Sequence, residues 1–369
     1  MTRVRFIMMG GFLGAGKTTA IARLARHYVG RGMRVGLVTN DQAYGLVDTQ
    51  SLRAQGFEVG EVTGACFCCK FNDLVDTAAR LSAGQRPDVI IAEPVGSCTD
   101  LVATVIEPLR RLYGDQYDVA PLAVLLKPEH GRKILSGEAG LGFSPKAAYI
   151  FLKQLEEAEV VAINKIDQVD HAGRAQLAGQ LGERFPGKEV LLLSARHGDG
   201  FDALIAALDR PAPSRQRTPE VDYDVYAEGE AELGWLNCTV SFRRERGTFD
   251  VDELLMGLVR RIARACSLAS AEPAHLKVLA TADGTTAIAN LVSSDATVEL
   301  SMASGARASE ARLIVNARVA VAPEVLVELV GSEVAALAEA EGLTYVVDGV
   351  QSFRPGRPVP THRMLMGQL

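Results

Sequence analysis

Between residues 4 and about 207 the chain alternates short β-branched or aliphatic runs with longer segments whose apolar positions recur at helical spacing. This is the pattern of an α/β domain in which a mostly parallel sheet is covered by helices on both faces. Strands are predicted over 4–9, 34–39, 88–92, 122–126, 160–163 and 190–193, and helices over 17–29, 72–81, 100–112 and 144–157. The last helix opens on Ser144-Pro145, an N-cap with proline at the first helical position. In such a sheet ligands bind beyond the carboxyl ends of the strands, so the residues just after each strand are where chemistry is expected.

The periodicity breaks at Arg210-Pro-Ala-Pro-Ser-Arg-Gln-Arg-Thr-Pro219. A linker is therefore predicted over 210–220, between the α/β domain at 1–209 and a smaller α+β domain at 221–369. The second part shows strand-like runs at 236–242, 276–280, 286–291, 298–302 and 313–319. Two amphipathic helices, over 251–266 and 323–341, complete it, with Gly342 as the C′ residue of the second. The tail at 353–362, rich in proline and arginine, reads as irregular.

A length of 369 residues accommodates two such domains, and 48% hydrophobic with 23% charged residues excludes collagen, extended disorder and a disulfide scaffold. With 45 acidic against 39 basic residues the formal charge is −6, so no basic excess points to nucleic acid or a membrane surface. No apolar run approaches the roughly 20 residues of a membrane span. The apolar start is broken by Gly10 and Gly11 and stopped by Lys17-Thr18-Thr19, with no small-residue cleavage site after it. Cys66, Cys68 and Cys69 are awkwardly close for pairing with one another, which predicts free thiols in a reducing compartment and a cytoplasmic location.

Directly after the first strand, Gly11-Phe-Leu-Gly14-Ala15-Gly16-Lys17-Thr18-Thr19 satisfies every fixed position of G-x-x-x-x-G-K-[ST]. Its backbone N–H groups curl around phosphate oxygens, Lys17 reaches the β and γ phosphates, and Thr18 offers its hydroxyl to Mg²⁺. After the strand at 160–163 comes Asn164-Lys165-Ile166-Asp167. A carboxylate there matches the adjacent N1–H and N2–H₂ donors of guanine, which adenine lacks. Asn164 would brace the loop and the Lys165 stem would lie along the base. Ser194-Ala195 stands where a second base contact is expected. Glu93-Pro94-Val95-Gly96, after the strand at 88–92, supplies an acid for magnesium-bound or attacking water and a glycine for close approach to the γ-phosphate. Asn40-Asp41 opens a polar segment through Asp48 that reads as a switch loop, with Asp41 a metal candidate.

Three thiols in Cys66-Phe-Cys68-Cys69 favour a borderline or soft cation such as Zn²⁺, which takes about four ligands. The fourth is open among Asp41, a histidine and water. Cys98, Cys238 and Cys266 read as packed thiols, and the six histidines form no ligand spacing.

The succession of this P-loop, Cys-x-Cys-Cys, Glu-x-x-Gly and Asn-Lys-x-Asp resembles the CobW-like family of P-loop GTPases, relatives of the GTPases that help insert nickel into urease and hydrogenase. The resemblance covers residues 4–208. It implies a GTP-hydrolysing metallochaperone or metal insertase, with GTP, Mg²⁺ and Zn²⁺ or another transition metal as ligands. By that likeness Gly14 to Thr19 hold phosphate, Cys66, Cys68 and Cys69 hold metal, and Glu93 serves Mg²⁺ and hydrolysis. Asn164, Lys165 and Asp167 would recognise guanine. A client metalloprotein or metal-cofactor enzyme is the expected partner, bound through the second domain, and the oligomeric state, a homodimer included, is open. The switch segment reads Asn-Asp-Gln-Ala-Tyr-Gly where much of the family has Asn-Glu-Phe-Gly. Two other readings share the P-loop: a GTP-timed docking module with a structural cysteine cluster, and a small-molecule kinase.

Overall fold

The computed structural model describes residues 3–42, 47–82, 86–136, 144–212, 218–291 and 297–365. Residues 43–46 of the expected switch loop and 213–217 of the expected linker lie outside them. The chain divides into two compact units. The first comprises Met1–Gln42, Gly56–Gly229 and Arg357–Leu369, and the second Ala43–Gln55 and Glu230–Gly356.

The first unit is built on β1 (Val4–Gly11), β2 (Val35–Asp41), β3 (Glu58–Thr63), β4 (Val89–Glu93), β5 (Tyr117–Val119), β6 (Ala123–Leu126), β7 (Val160–Ile163) and β8 (Glu189–Leu192). All pairings are parallel and the order is β3-β2-β4-β1-β6-β7-β8, with β5 also on β1. Phe6, Ile7, Met8 and Met9 of β1 are fully buried, as a strand covered on both faces requires. Strand order reverses at β1, so the loop after it opens at the switch point of the sheet.

Around the sheet in this unit run α1 (Lys17–Gly30), α3 (Phe71–Leu81), α4 (Glu107–Leu112), α5 (Pro128–Leu135), α6 (Pro145–Glu157), α7 (His171–Arg184) and α8 (Phe201–Asp209). Ser144 caps α6 as its sequence predicts, its hydroxyl accepting the Ala147 N–H at 3.0 Å. The helix expected over 100–112 instead opens with a π-helical stretch, Val102–Ile106, before α4. Pro108 has no N–H for the carbonyl four residues back, which loosens the register there. Two strands of this unit escaped the pattern: β5 has three residues, and β3, at the sheet edge, carries Glu58 and Glu61 and no continuous apolar run.

In the second unit an antiparallel six-stranded sheet has the order β13-β12-β11-β15-β9-β16. Its strands are β9 (Gly234–Arg243), β11 (Pro273–Ala282), β12 (Thr285–Leu291), β13 (Glu299–Met302), β15 (Glu310–Val319) and β16 (Thr344–Phe353); β10 (Phe249–Asp250) and β14 (Arg307–Ala308) pair separately. Alternate residues such as Leu276, Val278 and Ala280 of β11 and Leu313, Val315 and Ala317 of β15 share a core with α10 (Val251–Leu268) and α11 (Pro323–Glu341). Gly342 closes α11 at φ 62°, the left-handed C′ residue that the sequence predicts. The intervening positions Leu279 and Ile288 face the other way and bury Val47 of α2 (Val47–Ala54). The Val47 N–H donates to Asn316 Oδ1 at 2.8 Å, and Asp48 pairs with Lys277. The segment expected as a loop through Asp48 is thus helical from Val47, because its apolar residue has a core to enter. The helix α9 (Tyr223–Glu230) ends where the first unit gives way to the second.

Candidate nucleotide and metal site

The loop between β1 and α1 is shaped by its glycines. A Cβ at Gly11 would stand 2.4 Å from the Leu125 carbonyl oxygen of β6. At Gly16, with φ at 89°, it would stand 2.4 Å from Asn164 Nδ2. Both sites exclude any larger residue. Lys17 is buried and its Nζ donates to the Gly11 carbonyl at 2.8 Å, which places the ammonium across the mouth of the loop. The Thr18 hydroxyl donates to Glu93 Oε1 at 3.1 Å, where β4 ends beside β1. These are hard oxygen donors of the kind magnesium takes, so the residues present fit that ion. Gly96 approaches the same loop, since a Cβ there would meet Leu13 Cδ2 at 2.7 Å.

Asn164 ties the phosphate loop to the base loops. Its Nδ2 donates to the Ala15 carbonyl at 2.8 Å and its Oδ1 accepts the Ala195 N–H at 2.9 Å. Lys165 stands at φ 60° and turns the chain into a short 3₁₀ helix, Ile166–Gln168, that carries Asp167. Ser194 donates its hydroxyl to Asp167 Oδ1 at 2.6 Å. Arg23 of α1, which the sequence pattern does not single out, donates to the carbonyls of Ala195 and Arg196, each at 2.7 Å, and so fixes that loop on the helix.

The cysteines sit in a turn between β3 and α3, where the Cys69 and Lys70 N–H groups both donate to the Cys66 carbonyl. Among the described residues, Cys66, Cys68 and Cys69 form the group of metal-ligating atoms lying within 4.8 Å of one another; Asp41 is not in it, and its Oδ1 accepts the Gln42 N–H. Cys66 Sγ lies 2.8 Å from Cys68 Sγ and 3.5 Å from Cys69 Sγ, and Cys68 and Cys69 are 3.8 Å apart. A tetrahedral zinc site with Zn–S near 2.3 Å has sulfur separations of about 3.8 Å, so metal entry need only spread the Cys66–Cys68 pair. Hydrogen bonds to its sulfur from Cys68, Cys69 and Cys98 hold the Cys66 thiol well below its usual range. The Cys68 thiol is raised by its bond to Cys66, and Cys69, also bonded to Cys66, is pushed up to about 11. The cluster therefore offers one thiolate first, shared by its neighbours.

Two supports of this turn are silent in the sequence. Asn40, at the end of β2, donates from Nδ2 to the Val62 and Ala65 carbonyls at 2.9 and 2.8 Å and accepts the Phe67 N–H at 2.8 Å. The tail is irregular, as expected, yet it straps the turn. Thr361 donates to the Cys68 and Cys69 carbonyls at 2.8 and 3.1 Å, and the Val359 N–H donates to Cys69 Sγ at 3.2 Å. His362 lays its ring edge-on to Phe71, with centroids 5.0 Å apart.

Under the loop that leaves Glu93 lie two buried acids. Asp100, at φ 64°, accepts from Tyr223 Oη and Arg363 Nε, both at 2.7 Å. Glu157 accepts the Val102 N–H at 3.0 Å and the Thr99 hydroxyl at 3.3 Å. Burial, reinforced by the Asp100 charge, pushes the Glu157 carboxyl from 4.5 up to about 8. Between those values the folded chain holds a proton that the unfolded chain has released, so its stabilising contribution is complete below about 4.5 and is lost as pH rises through about 8. Urea unfolding at pH 5 and pH 8.5 is expected to show that decline, and Glu157→Gln is expected to flatten it. An equal decline in the variant would assign the slope to another group.

The sequence profile described as the CobW/HypB/UreG nucleotide-binding domain matches residues 5–191. A Sinorhizobium protein named zinc chaperone CobW is 27% identical over 225 residues, covering 54% of this chain and 60% of the relative. A Pseudomonas aeruginosa protein of the same name is 26% identical over 216 residues, covering 49% and 55%. The chain thus spans less than two thirds of the length of these curated relatives. Among solved structures, Helicobacter pylori HypB in complex with nickel is 19% identical with a TM-score of 0.40, over 55% of this chain and 83% of that one. Zn(II)-bound YjiA GTPase from E. coli is 14% identical with a TM-score of 0.40, over 91% and 99%.

Proposed function

The chain belongs to the CobW/HypB/UreG family, and from that premise we propose that it is a GTPase that couples its nucleotide state to the binding and delivery of a divalent metal, zinc foremost. The observation that carries this reading is the double attachment of Asn40. It is the last residue but one of the strand that leads into the switch segment, and its side chain holds the cysteine turn from both sides. A shift in that strand end on exchange of GTP for GDP would reach the thiols directly, and the coupling would act equally in both directions.

In the proposed reaction the P-loop amides and Lys17 hold the β and γ phosphates. Thr18 and Glu93 would hold magnesium, which neutralises charge on those phosphates when bound. Glu93 orients the attacking water, and Gly96 keeps the γ-phosphate side of the loop open. Asp167, steadied by Ser194, accepts from guanine N1 and N2. Unaided turnover of this kind is slow, on the order of 10⁻³ to 10⁻² s⁻¹. The metal is the cargo, taken by Cys66, Cys68 and Cys69 in a reducing, cytoplasmic setting that suits six free cysteines. The second unit is assigned the choice of client metalloprotein, in keeping with exposed Tyr345, Val346 and Val350 on its edge strand β16.

The guanine assignment is tested by Asp167→Asn. The amide donates where the carboxylate accepted, so the variant is expected to lose GTP affinity and gain xanthosine triphosphate affinity by an order of magnitude or more each way. An unchanged preference in competition binding would place the base elsewhere and reopen the kinase reading.

A further inference from the structure

We propose that the tail at 357–364 is a strap that gates the cargo site: it lies across the cysteine turn on the Cys69 side and has to lift before a metal ion enters or leaves. This rests on the reading of Cys66, Cys68 and Cys69 as cargo ligands and adds to it the element that controls their access. Cys66 and Cys68 are buried whereas Cys69 is partly exposed, so an ion reaches the trio from the side of Cys69. That is the side the tail holds. The Val359 N–H donates to Cys69 Sγ at 3.2 Å, the Thr361 hydroxyl to the Cys69 carbonyl at 3.1 Å, and the Thr361 N–H to the Cys68 carbonyl at 2.8 Å. Two adjacent ligand residues are thus tied to a segment with no regular secondary structure of its own.

The strap is stiff but lightly held. Pro358 fixes its own φ, and Pro360 confines Val359 to extended backbone. A stretch stiffened in this way gives up little conformational entropy on docking and lifts as a unit. Pro358 is buried, yet the Val359 side chain stays 71% exposed, so its attachment to the turn comes from the backbone and the Thr361 hydroxyl rather than from a large apolar contact. Hydrogen bonds of modest net worth suit a contact that must open and close again.

At its far end the strap is anchored on the segment that follows β4. Arg363 Nε donates to Asp100 Oδ2 at 2.7 Å and the Met364 N–H to the Ala103 carbonyl at 2.8 Å. Asp100 is fully buried and stands a few positions beyond Glu93 and Gly96, on the same connection. One short piece of chain therefore joins the cysteine turn to the connection that carries the γ-phosphate residues. Movement of that connection with the nucleotide would shift the Asp100 anchor against the turn and loosen the contacts at Val359 and Thr361.

The test uses the reduced full chain, loaded with one equivalent of Zn²⁺ and mixed with rising concentrations of a chromophoric chelator. A gate imposes its own opening rate, so the wild-type transfer rate is expected to level off as the chelator rises. Val359→Pro deletes one N–H between two existing prolines, and Thr361→Val deletes one hydroxyl. Each is expected to raise the plateau about two- to tenfold, the worth of one hydrogen bond, and to quicken zinc uptake by the same factor with affinity kept within about threefold. Lower affinity with unchanged uptake would make the tail a plain support of the ligands and overturns the gate. So does a wild-type rate that climbs in proportion to the chelator without a plateau, a result that does not depend on how the variants fold. Alkylation of Cys69 in the metal-free chain, read by peptide mass, is expected to quicken in both variants, and equal labelling overturns the strap whatever the metal does. Zinc binding that Cys66→Ser leaves unchanged overturns instead the cargo reading on which the purpose of the strap rests.

Discussion

Gly16→Ala is expected to weaken GTP binding at least about 100-fold, a loss of ~2.7 kcal/mol, without unfolding the first unit. One methyl group meets two obstacles. The backbone at φ 89° is left-handed, which costs an L-residue roughly 1–2 kcal/mol. The new Cβ would also stand 2.4 Å from Asn164 Nδ2. Displacing that amide breaks its bond to the Ala15 carbonyl and frees its partner oxygen from the Ala195 N–H. Each buried group left unpaired costs about 1–3 kcal/mol. Phosphate loop and base loop fail together because one side chain joins them. Gly30→Ala, where no atom lies within 4 Å, is the matched control and is expected to keep full affinity. Titration with a fluorescent guanine nucleotide reads both variants, and normal binding by Gly16→Ala would put the phosphate site somewhere other than this loop.

Cys66→Ser is expected to lower zinc affinity by roughly 10²- to 10³-fold, the share of one ligand in the about 10–16 kcal/mol that structural zinc sites supply. Cys66 is the hub of the cluster, with the Cys68 and Cys69 sulfurs 2.8 and 3.5 Å from its own, and its thiol is the one held below the usual range. Its loss removes the first thiolate as well as a ligand. Cys238→Ser, in the other unit, is expected to leave zinc affinity unchanged. Competition with a chromophoric chelator decides it, and equal losses in the two variants would mean that the effect comes through folding.

Much of this was legible in the sequence where local pattern and function coincide. The parallel strands that carry the P-loop, Glu93 and Asn164 are continuous apolar runs, and each motif falls at a strand end. Segments whose structure depends on distant partners were not legible. β3 and β16 are edge strands with polar or exposed positions, so no strict alternation marks them. Val47 and Asp48 look like loop residues until Leu279, Ile288 and Lys277 are placed beside them. In the site, the ligand cluster is local and therefore visible. Its supports come from far along the chain: Asn40 from β2 and Thr361 from the tail. Cys98 reads as a packed thiol in the sequence, and in the fold it is buried on the loop after β4, outside the group formed by Cys66, Cys68 and Cys69.

The central claim is that nucleotide state and metal affinity are coupled through the strand end at Asn40. The most direct measurement is a competitive Zn²⁺ titration of the reduced, metal-free protein without nucleotide, with GDP and with a non-hydrolysable GTP analogue, repeated on Asn40→Ala. The account predicts at least a tenfold difference between the nucleotide states, about 1.4 kcal/mol of coupling, that shrinks in the variant. Tight zinc binding that is indifferent to the nucleotide would contradict it and leave a GTP-timed docking module with structural cysteines.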